Sequence, residues 1–262
     1  MRLGIIGYGA IGSVVAEAAT RGDLPGIELA SVLVRRERGG LGNRLTADPA
    51  RFLASRLDVV LECAGHQAVR DHGRRCIAAG ADLVLTSIGA LVDDALRRDL
   101  ETVAARSGRR LILASAGIGA LDILSAAAVG GLETVTITVA KDPSAWWGTE
   151  AETLVDLAAL DAPVTLFDGP VREGAARYPQ NVNIAAATAL AGLGLDQTRL
   201  VIVADPGITD HVVEIEARGA FGRFSFREEV EPTPENPKTG KLVAMAVIKT
   251  IRQLASPVVI GA

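Results

Sequence analysis

The stretch Arg2–Gly12 limits the possible folds more than any other part of the chain. Leu3 to Ile6 is a short apolar run that suits a buried parallel strand. Gly7, Gly9 and Gly12 follow it, and Ser13-Val14-Val15-Ala16-Glu17-Ala18-Ala19 continues at helical spacing. In a strand–turn–helix each glycine has its own task. Gly7 permits the tight turn, Gly9 lets a phosphate approach the backbone, and Gly12 lets the helix pack close to the strand. The unpaired amides at the helix start, those of Ala10, Ile11 and Gly12, form the positive end of the helix dipole and favour a pyrophosphate. A second strand over Ile27–Val34 completes the context in which G-x-G-x-x-G indicates a dinucleotide.

That second strand ends in Arg35-Arg36, with no acidic residue before Glu37. An acidic residue at this place would hold a ribose 2′-hydroxyl, whereas arginine suits a 2′-phosphate. The expected cofactor is therefore NADP, with NAD possible.

Composition narrows the class. Hydrophobic residues make up 49% of the 262 residues and aromatics only 3%, so the core is built from Ala, Val, Leu and Ile. A net charge of −4 with no basic stripe excludes a nucleic-acid footprint. No apolar run is long enough to span a membrane, and the N-terminus enters a strand directly, without a secretory signal. Cys63 and Cys76 suggest no disulfide framework and fit a reduced cytoplasm.

Strands and helices then alternate. Strands are expected at 57–63, 81–86 and 110–113, and helices at 48–55, 67–79 and 93–107. This rhythm predicts an α/β fold, an N-terminal doubly wound parallel sheet of the Rossmann type. Its ligand edge lies beyond the strand C-termini, so the loops Gly7–Gly12, Ala64–His66 and Ser87–Ala90 share that edge. Near Ala114 the rhythm changes. A helix of small residues follows Ala116–Asp122, and strands are expected at 134–141, 163–167, 200–204, 211–217 and 222–230, with Arg227–Glu231 a solvated strand end. Residues 231–239 read as a polar, proline-rich loop, and 242–254 as an amphipathic helix. The expected organisation is a dinucleotide-binding domain of residues 1–114 plus the C-terminal helix 240–262, and an α+β substrate domain with a mixed sheet over 115–239.

Five segments, in order, carry a resemblance: Glu62-Cys63-Ala64-Gly65-His66, Ser87-Ile88-Gly89-Ala90-Leu91, Tyr178-Pro179-Gln180-Asn181-Val182-Asn183, Gly219-Ala220-Phe221-Gly222 and Asn236-Pro237-Lys238-Thr239. Over nearly its full length the chain resembles the L-aspartate dehydrogenase family. The resemblance implies a Rossmann domain followed by a substrate domain. It also implies oxidation of L-aspartate with NAD or NADP to iminosuccinate, which feeds NAD biosynthesis or hydrolyses to oxaloacetate and ammonia. By the same resemblance, the backbone of Gly117 lies against the nicotinamide and Asn183 holds its amide, with N-capping of the following helix the plainer role for Asn181 or Asn183. From their place at the ligand edge, Ala64, Gly65, His66 and Ser87 are expected to line the cofactor, His66 alternatively capping the helix at Gln67 or bonding a backbone carbonyl. The expected partners are a small anionic amino or imino acid and further copies of the chain.

The chain departs from the family at two places that matter. Where the family's segment before the substrate helix reads Gly-Ala-Ile-Gly, this chain has Ala116-Gly117-Ile118-Gly119, and a contact made through the backbone passes to Gly117. The second departure concerns the acid–base residue. The family's catalytic histidine falls at Val213, and His211 stands where the family has asparagine. Positions 211 and 213 share a strand face but lie about 6–7 Å apart, beyond the reach of one proton transfer. Valine exchanges no proton. Either a bulge brings His211 into the role, or another residue does the acid–base work, or the substrate differs. His211 is the catalytic candidate on this reading. The alternatives are an imine or carbonyl reductase of the same fold and an inactive NADP-binding protein. Lys141 and Lys238 are candidates to hold a substrate carboxylate; Lys238 and Thr239 stand where they could reach the cofactor or that carboxylate, or equally cap the last helix. Trp146 and Trp147 are read as buried, or as part of an interface or a loop lid. No metal-spaced cluster and no G-x-S-x-G nucleophile is present.

Overall fold

The computed structural model describes residues 1–36, 41–115, 117–179, 182–233 and 236–261, and of 236–239 the backbone only. Among these the chain divides into two compact units, Met1–Ala114 with Ala244–Ala262, and Ser115–Val243.

The first unit runs β1(Arg2–Ile6), α1(Ala10–Arg21), β2(Glu28–Leu33), β3(Leu45–Thr46), α2(Pro49–Leu53), β4(Val59–Glu62), α3(His66–Ala68), α4(Arg74–Ala78), β5(Asp82–Leu85), α5(Asp94–Ser107) and β6(Leu111–Leu113). The strands form one sheet in the order β3-β2-β1-β4-β5-β6, parallel throughout. This is the strand order of the dinucleotide-binding doubly wound fold. The central strands are buried on both faces: Leu3, Ile5, Val60, Leu61, Leu83, Val84 and Leu85 have no exposed surface. That is why they read as continuous apolar runs rather than alternating ones. The helix expected over 67–79 starts at His66 and is interrupted by one π turn, Val69–Gly73, between α3 and α4. Asp93 caps α5, accepting from the N–H groups of Ala95 and Leu96.

The second unit runs α6(Leu121–Gly130), β7(Leu132–Lys141), α7(Ala151–Leu154), β8(Val164–Pro170), α8(Val171–Arg177), α9(Asn183–Ala191), β9(Arg199–Ala204), β10(His211–Gly219), β11(Gly222–Val230), β12(Pro232–Thr233) and β13(Asn236–Gly240). Five strands form a sheet in the order β11-β10-β7-β9-β8. It is mixed, with β7 and β9 parallel and the other pairs antiparallel. Alternation along β7 and β10 gives it an inner face: Val135, Ile137, Val139 and Lys141, with His211, Val213, Ile215 and Ala217. Helices α6 and α9 meet that face near Gly192, where an added Cβ would touch Leu124 and Val135. Trp146 and Tyr178 pack edge to face, ring centroids 5.9 Å apart.

Three expectations are corrected. Residues 231–239 are not simply loop, because β12 and β13 pair antiparallel there. Trp146 is fully buried but Trp147 is 54% exposed, so the two tryptophans do not share a fate. Helices α7 and α8 are additions to the expected elements. The final helix is α10(Leu242–Ala255); Val247 and Ile251 on it are buried, and Arg252 donates to the Asp23 carbonyl in the first unit.

Candidate functional site

The glycine turn is built as its sequence demands. Gly7 has φ +103°, a region L side chains rarely adopt. Its N–H donates to the Leu33 carbonyl at 2.9 Å, which ties the turn to the end of β2. A Cβ on Gly12 would overlap the Gly7 carbonyl oxygen and lie 2.9 Å from Cys63 Sγ. Gly9 differs: a Cβ there meets nothing within 4 Å. Packing within the protein thus explains glycine at 7 and 12 but not at 9, where the open space suits an approaching ligand. Gly9 is also the N-cap of α1, with no side-chain cap and no acidic residue in the first turn. Helix construction leaves the amides of Ala10, Ile11 and Gly12 without intrahelical acceptors. An uncapped helix start beside an open glycine fits a dinucleotide pyrophosphate.

Arg35 and Arg36 follow β2 after Val34 and are exposed, so their guanidinium groups are available to a phosphate. Glu37 lies outside the described residues.

The neighbouring loops hang on one buried carboxylate that sequence reasoning left without a role. Glu62, at the end of β4, has no exposed surface. Its Oε1 accepts from the N–H groups of Ala64 (2.8 Å) and Gly65 (2.9 Å) and from Ser87 Oγ (3.0 Å). Its Oε2 accepts from the Ser87 N–H at 3.2 Å. Burial pushes this carboxyl above the usual carboxylate range, while the four donors pull the other way. Glu62 thereby fixes Ala64, Gly65 and Ser87 in one arrangement, so the Ser87 hydroxyl is already engaged. Gly65 has φ +110° and is followed by half-buried His66, the first residue of α3 and one with partners of its own. The signal for Glu62 was an acidic residue closing an otherwise apolar strand.

Cys63 Sγ lies 3.4 Å from the Ile6 carbonyl oxygen and 3.5 Å from that of Gly7. Burial and the adjacent Glu62 push its thiol up, and burial pushes Cys76 up to about 12. Both cysteines are free.

In the second unit, Gly117 lies in the loop before α6, where an added Cβ would sit 3.3 Å from Ile184 and from Val243. The loop closes on Ala120, at φ +60° a strained position for a non-glycine residue. Asn183 is the first residue of α9, half-buried, and does not cap it; the N-cap is Val182. Gln180, Asn181 and Ala116 lie outside the described residues. His211 opens β10 on its buried face, 8% exposed, and Val213 follows on that face, 3% exposed. The pairing Val212↔Ala140 sets His211 at the level of Lys141. Lys141 is buried, its Nζ 5.8 Å from the Trp146 ring centroid. The register of β10 is regular from His211 to Arg218, so no bulge carries His211 towards position 213. Lys238 and Thr239 belong to β13, their side chains outside the described part. Among the described residues no cluster of His, Cys, Asp or Glu could hold a metal ion, and no helix is long and apolar enough to cross a membrane.

Sheet order, glycine turn and uncapped α1 together define a Rossmann-type, dinucleotide-binding protein that also carries an α+β unit. Residues 7–114 match the family model described as homoserine dehydrogenase, NAD binding domain, and residues 122–254 that described as aspartate dehydrogenase, C-terminal. The chain is 43% identical to a curated L-aspartate dehydrogenase of Ruegeria pomeroyi, over 97% of this chain and 92% of that one. It is 40% identical to one of Pseudomonas aeruginosa, over 94% and 95%. The crystal structure of an aspartate dehydrogenase from Thermotoga maritima shares the fold, with a TM-score of 0.79, 23% identity and 99% of both chains covered. On these similarities the chain belongs to the L-aspartate dehydrogenase family.

Proposed function

We propose that this protein oxidises L-aspartate to iminosuccinate, and so to oxaloacetate and ammonia, with NADP as the preferred cofactor and NAD as a possible one. The observation that carries this reading is near-full-length similarity to relatives named L-aspartate dehydrogenase. In support, the first unit has an open, uncapped glycine turn. The amides of Ala10, Ile11 and Gly12 hold the pyrophosphate, Gly7 and Gly9 leave it room, and Arg35 and Arg36 hold a 2′-phosphate. Glu62 keeps Ala64, Gly65 and Ser87 in place along the cofactor, and His66 follows Gly65 there. When bound, the nicotinamide supplies the hydride acceptor. In the second unit, the Gly117 backbone and the Asn183 side chain hold the nicotinamide, and Lys141 attracts a substrate carboxylate. Proton transfer falls to the inner face of β10 and β11, on which His211 is the histidine. The chain works as a homo-oligomer in the cytoplasm, where its two thiols stay reduced.

Formation of reduced nicotinamide from aspartate and NADP tests this reading, together with the reverse reaction from oxaloacetate and ammonia. Absence of turnover in both directions would remove it. Val213 favours one second reading, reduction of another small imine or carbonyl compound. A panel of amino acids and of oxo acids with ammonia separates the two. A protein that binds NADP tightly and turns over none of them has lost its chemistry.

A further inference from the structure

Valine at 213 leaves the reaction without an obvious proton acceptor at that level of the sheet, and the structure supplies one on the next strand. Glu228 of β11 is the direct cross-strand partner of Val213, so the two side chains project from the same face. Its neighbours of equal parity, Phe224, Phe226 and Val230, are half-buried like it, while Arg227 and Glu229 are exposed and pair with each other at 2.7 Å. Glu228 Oε2 accepts from the N–H of Gly119 at 3.3 Å. It is thereby bonded to the loop of Gly117, which the proposed function sets against the nicotinamide. Its Oε1 is buried and has no hydrogen-bond partner among the described residues. A buried carboxylate oxygen with nothing to bond costs free energy unless a ligand completes it.

We propose that Glu228 is the catalytic acid–base residue of this protein, standing in for the side chain that Val213 cannot provide. This rests on the proposed function. In the oxidative direction the Glu228 carboxylate takes one proton from the substrate α-ammonium, leaving a neutral amine. The Cα–H electron pair then departs as hydride to the oxidised nicotinamide, and the nitrogen lone pair closes the C=N bond. Charge and electrons balance: the substrate loses a hydride and one proton, the cofactor gains the hydride, and the carboxylate gains the proton. Burial raises the Glu228 carboxyl above the ordinary range, against a smaller opposing effect of the Gly119 N–H, which brings it closer to the pH at which a base of this kind works. On the same face, β10 presents His211 and β7 presents Lys141. The loop of 117–120 carries no ionisable side chain, and α6 has Asp122 in its first turn. His211 pairs with Val230, two residues along β11 from Glu228, and therefore about 6–7 Å away.

The test compares the full-length protein with E228Q, E228D and H211N. E228Q is expected to lose about 10²–10⁴-fold in kcat while binding NADPH, followed by fluorescence, as the unchanged protein does. The acidic limb of its kcat/KM profile disappears. E228D recovers part of the rate, and H211N keeps the acidic limb. A second readout needs no turnover: with δ-13C-labelled glutamate, one carboxyl resonance titrating above the ordinary range is absent from E228Q. Unchanged turnover and an unchanged acidic limb in E228Q overturn the assignment, as does loss of that limb in H211N instead. If the unchanged protein binds NADPH but oxidises no aspartate, the functional reading itself has failed and takes the assignment with it.

Discussion

Gly9 and Gly12 stand three residues apart in one turn, yet the structure predicts opposite outcomes for the same substitution. In G9A the new Cβ meets nothing within 4 Å, and the backbone there, φ −104° and ψ −156°, suits alanine. Two small effects on stability oppose each other. Alanine is a poorer N-cap than glycine, by roughly 1 kcal/mol at most, and it removes about 0.4–1 kcal/mol of unfolded-state entropy. The melting temperature without cofactor therefore moves by no more than about 2–4 °C. In G12A the Cβ overlaps the Gly7 carbonyl oxygen, 2.9 Å from Cys63 Sγ and 3.0 Å from the Gly7 carbonyl carbon. Ordinary contacts lie at about 3.5–4.0 Å, so relieving the overlap with the Gly7 carbonyl oxygen moves α1 off β1 by more than about 1 Å. Overpacking of this kind costs about 1–3 kcal/mol, a fall of roughly 2–12 °C. Cofactor binding separates the pair further. A methyl at Gly9 stands where the pyrophosphate approaches, and weakening one charge-assisted bond costs about 1.5–3 kcal/mol, roughly 10–100-fold in affinity. At a concentration near 100 times the original Kd, NADP stabilises the unchanged protein by about 2.7 kcal/mol. After a 100-fold loss only about 0.4 kcal/mol remains. Thermal melts with and without NADP, and a fluorescence titration with NADPH, read both quantities. G9A binding as tightly as the unchanged protein would refute the reading of Gly9 as the phosphate approach, and G12A melting unchanged would refute the packing argument.

Replacing Arg35 and Arg36 together by alanine is expected to raise the NADPH Kd by about 10–100-fold and to leave NADH unaffected; equal weakening of both would show that neither arginine reads the 2′-phosphate. E62Q sets an amide N–H₂ or a lost acceptor against the Ser87 N–H and costs about 1–3 kcal/mol in denaturant unfolding. The sign of its pH dependence follows from burial, which raises the folded-state pKa above the ordinary 4.5. The stability this carboxyl contributes is full below its unfolded pKa and falls as pH rises through the folded one; E62Q removes that slope, and an unchanged slope would mean another group causes it. Cys63 and Cys76, their thiols pushed up by burial, should resist a thiol reagent in the folded protein at mildly alkaline pH and both react after unfolding. Rapid labelling of either without unfolding would contradict the burial.

Most of the fold was legible because the physics is local. In the first unit the strands are buried on both faces, and each apolar run ends at a glycine, an aspartate or a short turn, so boundaries fall within a few residues of those read. Where the reading failed, the cause lay in distant packing. Helix α8 has Gly174 in its middle, which argues against a helix. An added Cβ there would come 2.6 Å from Leu200 and 2.9 Å from Phe167, so glycine is required by close packing on the sheet, and tertiary contact overrides propensity. Residues 232–240 carry three prolines in a polar context, yet Pro232 opens a two-residue strand, where its missing N–H costs little. Trp146 and Trp147 are adjacent, and only the sharp turn after β7 decides which of them is buried.

For the site, the glycine turn and the basic end of β2 were readable because one short segment carries the whole chemistry. Glu62 was half readable. A carboxylate closing the run Val59-Val60-Leu61 signals a buried partner, but that partner, Ser87, lies on another strand end and only the parallel pairing of β4 with β5 brings it near. Glu228 was hidden differently. In Arg227-Glu228-Glu229 three charges in succession suggest a solvated strand end, and two of them are solvated. The alternation Phe224, Phe226, Glu228, Val230 contains the contrary signal, since a strand that buries every second residue cannot make an exception for one of them. A carboxylate of inward parity must find a donor or a ligand, and the Gly119 N–H satisfies only one of its two oxygens. Parity outranks local charge density whenever a strand has one buried face, so the same rule that places His211 beside Val213 on β10 brings Glu228 to the level of Val213 from the strand beside it.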